Sequence, residues 1–218
     1  MVKQIVLPIK DRNVLREVQD TLKHNFKYGE RNYTIFQVGK ATLLRVSDVL
    51  RLKYVDVYDA EGNVKQHAYI HDKKTGKPNY LYLKPVVNDL KHYQQWLKEH
   101  CINSEWLFPS FSFYQYTIQY FNRDTHHCDN HYGREYTNHV TERQFYKVMH
   151  KVGNLLNINY LGTHTMRKTG AFMVYEQTNH NIALVMKLLN HSSEKMTLAY
   201  LGLDQETTEQ ILDTIHFD

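Results

Sequence analysis

Hydrophobic periodicity changes twice along this chain, and the change restricts it to a helical fold carrying one small sheet. Over residues 11–26, Val14, Leu15, Val18, Leu22 and Phe26 recur at the spacing that lines one face of a helix. Residues 33–41 and 46–52 continue the pattern. Then Tyr54-Val55-Asp56-Val57-Tyr58 alternates like a strand, residues 64–70 alternate loosely, and Tyr80-Leu81-Tyr82-Leu83 alternates again. Glu61-Gly62-Asn63 and Lys73-Lys74-Thr75-Gly76-Lys77-Pro78 supply turn chemistry between these runs. Helical spacing returns at about 85–98, 141–156, 166–176, 182–190, 193–201 and 204–215. The expected fold is mostly α with a small three-stranded antiparallel sheet, an α+β arrangement. Residues 111–138, rich in Tyr, His and Asn without a clean period, read as an insertion or long loop.

A chain of 218 residues is long enough for one good core. The expectation is a single domain over 1–218, with a core of about 10–203 and a tail helix over 204–218. The hydrophobic fraction of 42% and charged fraction of 23% are ordinary for a soluble globular protein. No apolar run approaches the ~20 residues of a membrane span, and the apolar stretch at the N-terminus is too short for a signal peptide. Two cysteines, Cys101 and Cys128, suit a reducing cytoplasm better than a secreted disulfide scaffold. A formal net charge of +4 permits nucleic-acid binding without requiring it. The 17 tyrosines and 14 histidines are more unusual, since their rings stack on bases and bond phosphates as well as filling cores.

Four local patterns carry chemistry. In Thr163-His164-Thr165-Met166-Arg167-Lys168-Thr169, His164 and Arg167 are three apart and share a face at a helix start. Helix N-termini attract anions, and a guanidinium fork matches two phosphate oxygens. A chance His-x-x-Arg on a surface helix is the bland alternative. In Leu189-Asn190-His191-Ser192-Ser193, followed by Tyr200, one straight helix would put His191 and Tyr200 on opposite faces. Ser192 or Ser193 is a good N-cap, so a helix break there lets the two converge; otherwise Tyr200 is an ordinary half-buried tyrosine. Arg45 interrupts an apolar run, Ala41-Thr42-Leu43-Leu44-Arg45-Val46, and burying a guanidinium is costly unless it is paired or faces a ligand. An Arg45–Asp48 ion pair would satisfy it structurally. The lysine-rich turn at Lys73, Lys74 and Lys77 could reach DNA or simply solubilise a hairpin tip. His126-His127-Cys128 with His131 could offer zinc ligands, but the spacing matches no standard site, and a polar loop is the preferred reading.

Each pattern is modest, but their order resembles the tyrosine recombinase (phage integrase) family throughout residues 10–215: Arg, a hairpin Lys-Thr-Gly, His-x-x-Arg, then Leu-x-His nine residues before Tyr. Residues 158–201, with Gly-Thr-His-Thr-Met-Arg-Lys-Thr-Gly and Leu-Leu-Asn-His-Ser-Ser, carry the most specific part. The chain looks most like short, catalytic-domain-only members such as fimbrial phase-switch recombinases and similar proteins of Gram-positive bacteria and their plasmids. Leu43 stands where the family usually has glycine, residues 111–138 are longer than typical, and no separate counterpart of the N-terminal DNA-clamping domain of larger integrases is expected.

The resemblance implies that Arg45 and Arg167 grip a phosphate, that His164 is a base or phosphate donor, and that Lys74 protonates the leaving 5′-oxygen. His191 would add a hydrogen bond, and Tyr200 would be the nucleophile. It implies a 3′-phosphotyrosine intermediate, no metal or other cofactor, double-stranded DNA as partner, a homo-tetramer on paired sites and no membrane. A type IB topoisomerase-like relaxing enzyme would use the same chemistry, and an inactive DNA-binding accessory protein is the rival from another class.

Overall fold

The computed structural model describes residues 5–74, 76–112, 115–122, 127–204, 208–209 and 212–213, and of residues 115–122 and 127–134 the backbone. The chain opens with α1 (Arg12–His24), started by Asp11, whose carboxylate accepts the amide protons of Asn13 at 2.7 Å and Val14 at 3.0 Å. Its apolar stripe, including fully buried Val18 and Leu22, packs on α2 (Gly29–Thr42). Helix α2 is buried on most of its faces, through Ile35, Phe36 and Val38. It is the central post of the molecule.

Two short helices follow, α3 (Val46–Leu50) and α4 (Tyr54–Val57). The second corrects an expectation, because residues 54–58 form a helical turn and not a strand. The Asp56 carboxylate accepts the Lys53 amide proton at 2.7 Å, Tyr58 N–H donates to Tyr54 carbonyl at 2.9 Å, and the Tyr54 and Tyr58 rings lie 4.4 Å apart. An i, i+4 ring pair and a cap outweigh an alternation only five residues long. Tyr58 still makes an isolated antiparallel bridge with Val64. Beyond it, β1 (His67–His71) and β2 (Pro78–Tyr82) pair antiparallel, with His67 opposite Tyr82 and Tyr69 opposite Tyr80. The mostly helical fold with a small antiparallel sheet is therefore as expected, with one strand reduced to a bridge.

A 3-10 turn at Lys84–Val86 leads into α5 (Val87–Glu99). Residues 111–138 are not a plain loop. They hold an antiparallel hairpin, β4 (Gln115–Asn122) and β5 (His127–Glu135), and β5 also pairs in parallel with β3 (Ile102–Asn103). A register shift between Ile118 and Tyr120 interrupts the β4–β5 pairing.

The last helices are α6 (Glu142–Leu156), α7 (Thr165–Gln177), α8 (Ile182–Leu189) and α9 (Glu194–Leu201). Most of the expected tail helix at 204–215 lies outside the described residues. One contact positions the site above all others. Helices α2 and α7 cross so closely that a Cβ on Gly170 would collide with the Lys40 carbonyl, and one on Gly39 with the Met166 thioether. Among the described residues no helix is long and apolar enough to cross a membrane.

Candidate active site

Helix α2 ends at Leu43, which adopts a left-handed conformation with φ 55°. This is where the resemblance leads one to expect glycine, and the reason is now visible: the turn needs positive φ. Leucine pays for the strain by burial, at 6% exposure, within a second apolar cluster containing Ala171, Val185, Leu189 and Leu201. The turn delivers Arg45 to the start of α3.

Arg45 does not pair with Asp48. Its Nη1 bonds Oδ2 of Asp72 at 3.1 Å, across to the loop of the β1–β2 hairpin. The other Asp72 oxygen accepts from Asn79 Nδ2 at 3.0 Å, and the Asp72 amide donates to the Lys77 carbonyl at 2.9 Å. Asp48 instead accepts the Lys73 amide proton at 2.8 Å and is buried, which raises its pKa against the lowering effect of that hydrogen bond. Two acids thus tie the hairpin loop to the Arg45 segment. Lys74 is exposed in that loop, one residue past Lys73, whose ammonium lies 3.8 Å from Glu142.

His164 caps α7 and keeps solvent access, while Arg167, one turn on, is 5% exposed. Arg167 Nη2 donates to the Leu189 carbonyl at 2.9 Å, its Nε has no partner, and its guanidinium stands 5.8 Å from the centre of the Tyr200 ring. The protein packed around His164 lowers its pKa, and Arg167, Lys168 and Arg45 lower it further against Glu142.

Helix α8 stops at Asn190, left-handed with φ 55°, and Ser193 restarts the chain as N-cap of α9 by accepting the Met196 amide proton at 3.3 Å. The break does what the sequence required of it. The His191 and Tyr200 rings meet edge to face, centroids 5.2 Å apart and 82° between planes. His191 Nδ1 lies 3.1 Å from the Thr197 hydroxyl, which itself donates to the Ser193 carbonyl at 3.2 Å. That leaves the Thr197 oxygen to accept from Nδ1–H. Burial lowers the His191 pKa, and Arg167 and Arg45 add to the shift. The Tyr200 hydroxyl is buried without a partner, and burial pushes its pKa up to about 12, with Arg167 and Arg45 pulling the other way.

Arg45, His164, Arg167, His191 and Tyr200 therefore share one electrostatic centre, since Arg45 perturbs each of the other four. Such a centre can hold a doubly bonded oxyanion beside a phenol and keep its histidines neutral near pH 7. Lys74 is exposed at the hairpin loop, two residues past Asp72. Three neighbours went unread in the sequence: Asp72, Thr197, and Lys168, whose Nζ lies 5.0 Å over the Tyr200 ring and donates to the Val6 carbonyl at 2.8 Å. Only Asp72 carried a signal, as the single acid among the lysines of residues 65–84. The zinc reading at His126, His127, Cys128 and His131 falls outside the described side chains.

The Phage integrase family is matched over residues 11–207. A probable integrase/recombinase of Bacillus subtilis (strain 168), YoeC, is 28% identical over 205 residues, covering 94% of this chain and 93% of the relative. Among solved structures, the XerH site-specific recombinase in its post-cleavage complex with palindromic difH substrate superposes with a TM-score of 0.61 at 16% identity, covering 98% of this chain and 54% of that one. The XerA recombinase gives 0.61 at 16% identity, with 100% and 67% coverage. A lambda integrase dimer bound to a COC′ core site gives 0.59 at 12% identity, with 93% and 62% coverage. The chain thus spans about half to two thirds of the solved proteins it matches, and at these identities the likeness is one of fold.

Proposed function

The chain belongs to the phage integrase family, the tyrosine-type site-specific recombinases, and on that premise we propose that it breaks and rejoins DNA strands through a covalent link to Tyr200. The observation that carries this reading is the convergence of Arg167, His191 and Tyr200 on one buried centre within the field of Arg45.

In the proposed step, the Tyr200 oxygen attacks a backbone phosphorus and the bond to the 5′-oxygen breaks. Arg45 and Arg167 hold the non-bridging oxygens as charge develops, and preorganised donors of this kind are each typically worth ~10²–10³ in rate. The phenol proton passes to a base, for which neutral His164 is suited. Lys74, from the hairpin loop, gives a proton to the departing oxygen. The products are a 3′-phosphotyrosine and a free 5′-hydroxyl. Attack by a 5′-hydroxyl from a second strand reverses the chemistry and releases Tyr200. The phosphodiester energy stays in the intermediate, so the step needs neither nucleotide hydrolysis nor a metal.

DNA duplexes are the proposed partner. Support comes from the net charge of +4 and from the DNA-bound states of the XerH and lambda integrase relatives. Assembly into a tetramer on paired sites, with residues from Asp204 onward docking on a neighbouring protomer, extends the proposal. The test is a nicked suicide substrate, built from candidate sites, from which the short fragment carrying the freed 5′-hydroxyl diffuses away. The expected product is a protein–DNA adduct that survives denaturation and is lost on protease treatment. Strand nicking with no adduct would overturn covalent catalysis.

A further inference from the structure

We infer that the outer face of the β1–β2 hairpin is a stacking platform for unpaired DNA bases. His67 and Tyr69 on β1, and Tyr80 and Tyr82 on β2, all project from one face, since each pair is two residues apart. Their rings form a continuous ladder. His67 stacks on Tyr80 at 4.6 Å and approaches Tyr82 at 5.3 Å, and Tyr69 meets Tyr80 at 4.8 Å. The opposite face carries Ala68 and Leu81, 2% and 3% exposed, and serves the core. The ladder does not: Tyr69 is 75%, Tyr80 51% and Tyr82 43% exposed. Cross-strand aromatic pairs stabilise a hairpin, but that requires their edges to meet and not their outer faces to stay open.

Charge selects the occupant. Residues 65–84 hold five lysines, Lys65, Lys73, Lys74, Lys77 and Lys84, and one acid. That acid, Asp72, is engaged by Arg45. Lys73 faces Glu142 at 3.8 Å, and Lys65 donates to the Val55 carbonyl at 2.6 Å. The surplus of positive charge along this segment is therefore carried mainly by the remaining lysines. Exposed rings on a segment of net positive charge match the two components of a single strand, bases that stack and phosphates that carry charge. Paired bases within a duplex have both faces covered, so the rings can engage only unpaired ones. The position fits. Tyr69 precedes Asp72 by three residues, roughly 10 Å along the strand at ~3.4 Å per residue, which corresponds to about three nucleotides at ~3.4 Å each. The inference rests on the proposed function, in which the strand freed by Tyr200 must leave its complement near Arg45 to reach the second duplex.

The test uses the full chain and a fluorescent dT 12-mer, with an abasic 12-mer carrying the same phosphates. On the unaltered protein, dT should quench tyrosine emission and bind at least about tenfold more tightly than the abasic strand, as stacking of one base is worth that much. Equal affinities overturn the inference without any substitution being made. Replacing both Tyr69 and Tyr80 by Leu should remove the dT preference, while replacing both by Phe should keep it. Equal loss in the two variants would assign the contact to the hydroxyls and overturn stacking. An unchanged dT preference in the Leu variant, together with altered sedimentation of the DNA-free protein, would make the face a contact between copies instead. Binding of dT needs no cleavage. Failure of adduct formation would therefore refute the role of Tyr200 and leave this result standing, and the reverse also holds.

Discussion

The Tyr200 ring stands edge-on to His191, 5.2 Å away, yet its hydroxyl is buried and makes no hydrogen bond. Tyr200, the proposed nucleophile, is held here in its unreactive, protonated form. Burial pushes the phenol's pKa up to about 12, so it is protonated at neutral pH, and the cations that lower that pKa are the same ones proposed to receive the phosphate.

Tyr200→Phe should accordingly separate activity from stability. Covalent adduct should disappear from denaturing gels. Stability should not fall and should rise by about 1 kcal/mol, because an unpaired buried hydroxyl is removed. The folded pKa lies above the unfolded value of 10, so this group's contribution is whole below pH 10 and is lost as pH rises toward about 12. The variant should therefore lose less stability than the parent in that alkaline window. Persistent adduct would reassign the nucleophile.

Arg45→Lys and Arg167→Lys retain a charge but lose the two-pronged donor. Each should lower adduct formation by at least ~10²-fold. They should differ in stability. Arg167 is buried and supports the Leu189 carbonyl, so its substitution should cost ~1–3 kcal/mol by urea denaturation. Arg45 is part-exposed and should cost less. Near-normal cleavage by either variant would make that arginine structural.

Lys74 is exposed in the hairpin loop, two residues past Asp72, the partner of Arg45. Lys74→Ala should cut poorly at an ordinary phosphodiester and recover on a substrate with sulfur at the 5′-bridging position, since a thiolate departs without a proton. Recovery confined to Lys73→Ala would move the role by one residue.

His164 and His191 both have pKa values lowered from 6.5 by burial and neighbouring arginines. As pH falls below that value the unfolded chain takes up protons first. The stability these groups contribute is present above pH 6.5 and is lost on acidification through their folded values. Replacing both by Gln should flatten the difference between urea midpoints at about pH 7.5 and about pH 5.5. A difference equal to the parent's would mean that the histidines are not desolvated.

Leu43→Gly sets two effects against each other. The left-handed turn costs leucine about 1–2 kcal/mol, and glycine relieves it. Removing a buried leucine side chain costs about 2–5 kcal/mol. Packing should win, with a lower urea midpoint. A gain in stability would show that strain dominates at this joint.

How much of this was legible depended on the range over which each signal acts. The His191–Tyr200 meeting was legible because one local event, the Ser193 cap, produces it. The bond from Arg45 to Asp72 was not. An ion pair spanning 27 positions is a product of tertiary folding, whereas Asp48 was the nearest acid in sequence. Residues 54–58 misled because alternation over so few positions fits a single helical turn as well as a strand. The β4–β5 hairpin was hard to read because only β4 alternates, from Gln115 to Tyr120, while β5, His127–Glu135, has no apolar period.

The glycine-lined crossing of α2 and α7 has a consequence for how such a chain can vary. Arg45 follows Lys40 by five residues, and Arg167 precedes Gly170 by three, so both arginines hang close to a single joint where backbone meets backbone. Their separation is set at that joint and not by the length of chain running from 46 to 166. That intervening chain is free to lengthen, as the hairpin of β4 and β5 illustrates, while the spacing of the two arginines proposed to hold a phosphate stays tied to the joint. Loops can diverge around an unchanged joint, whereas a single methyl group added at Gly170 would meet the Lys40 carbonyl and force that joint to shift.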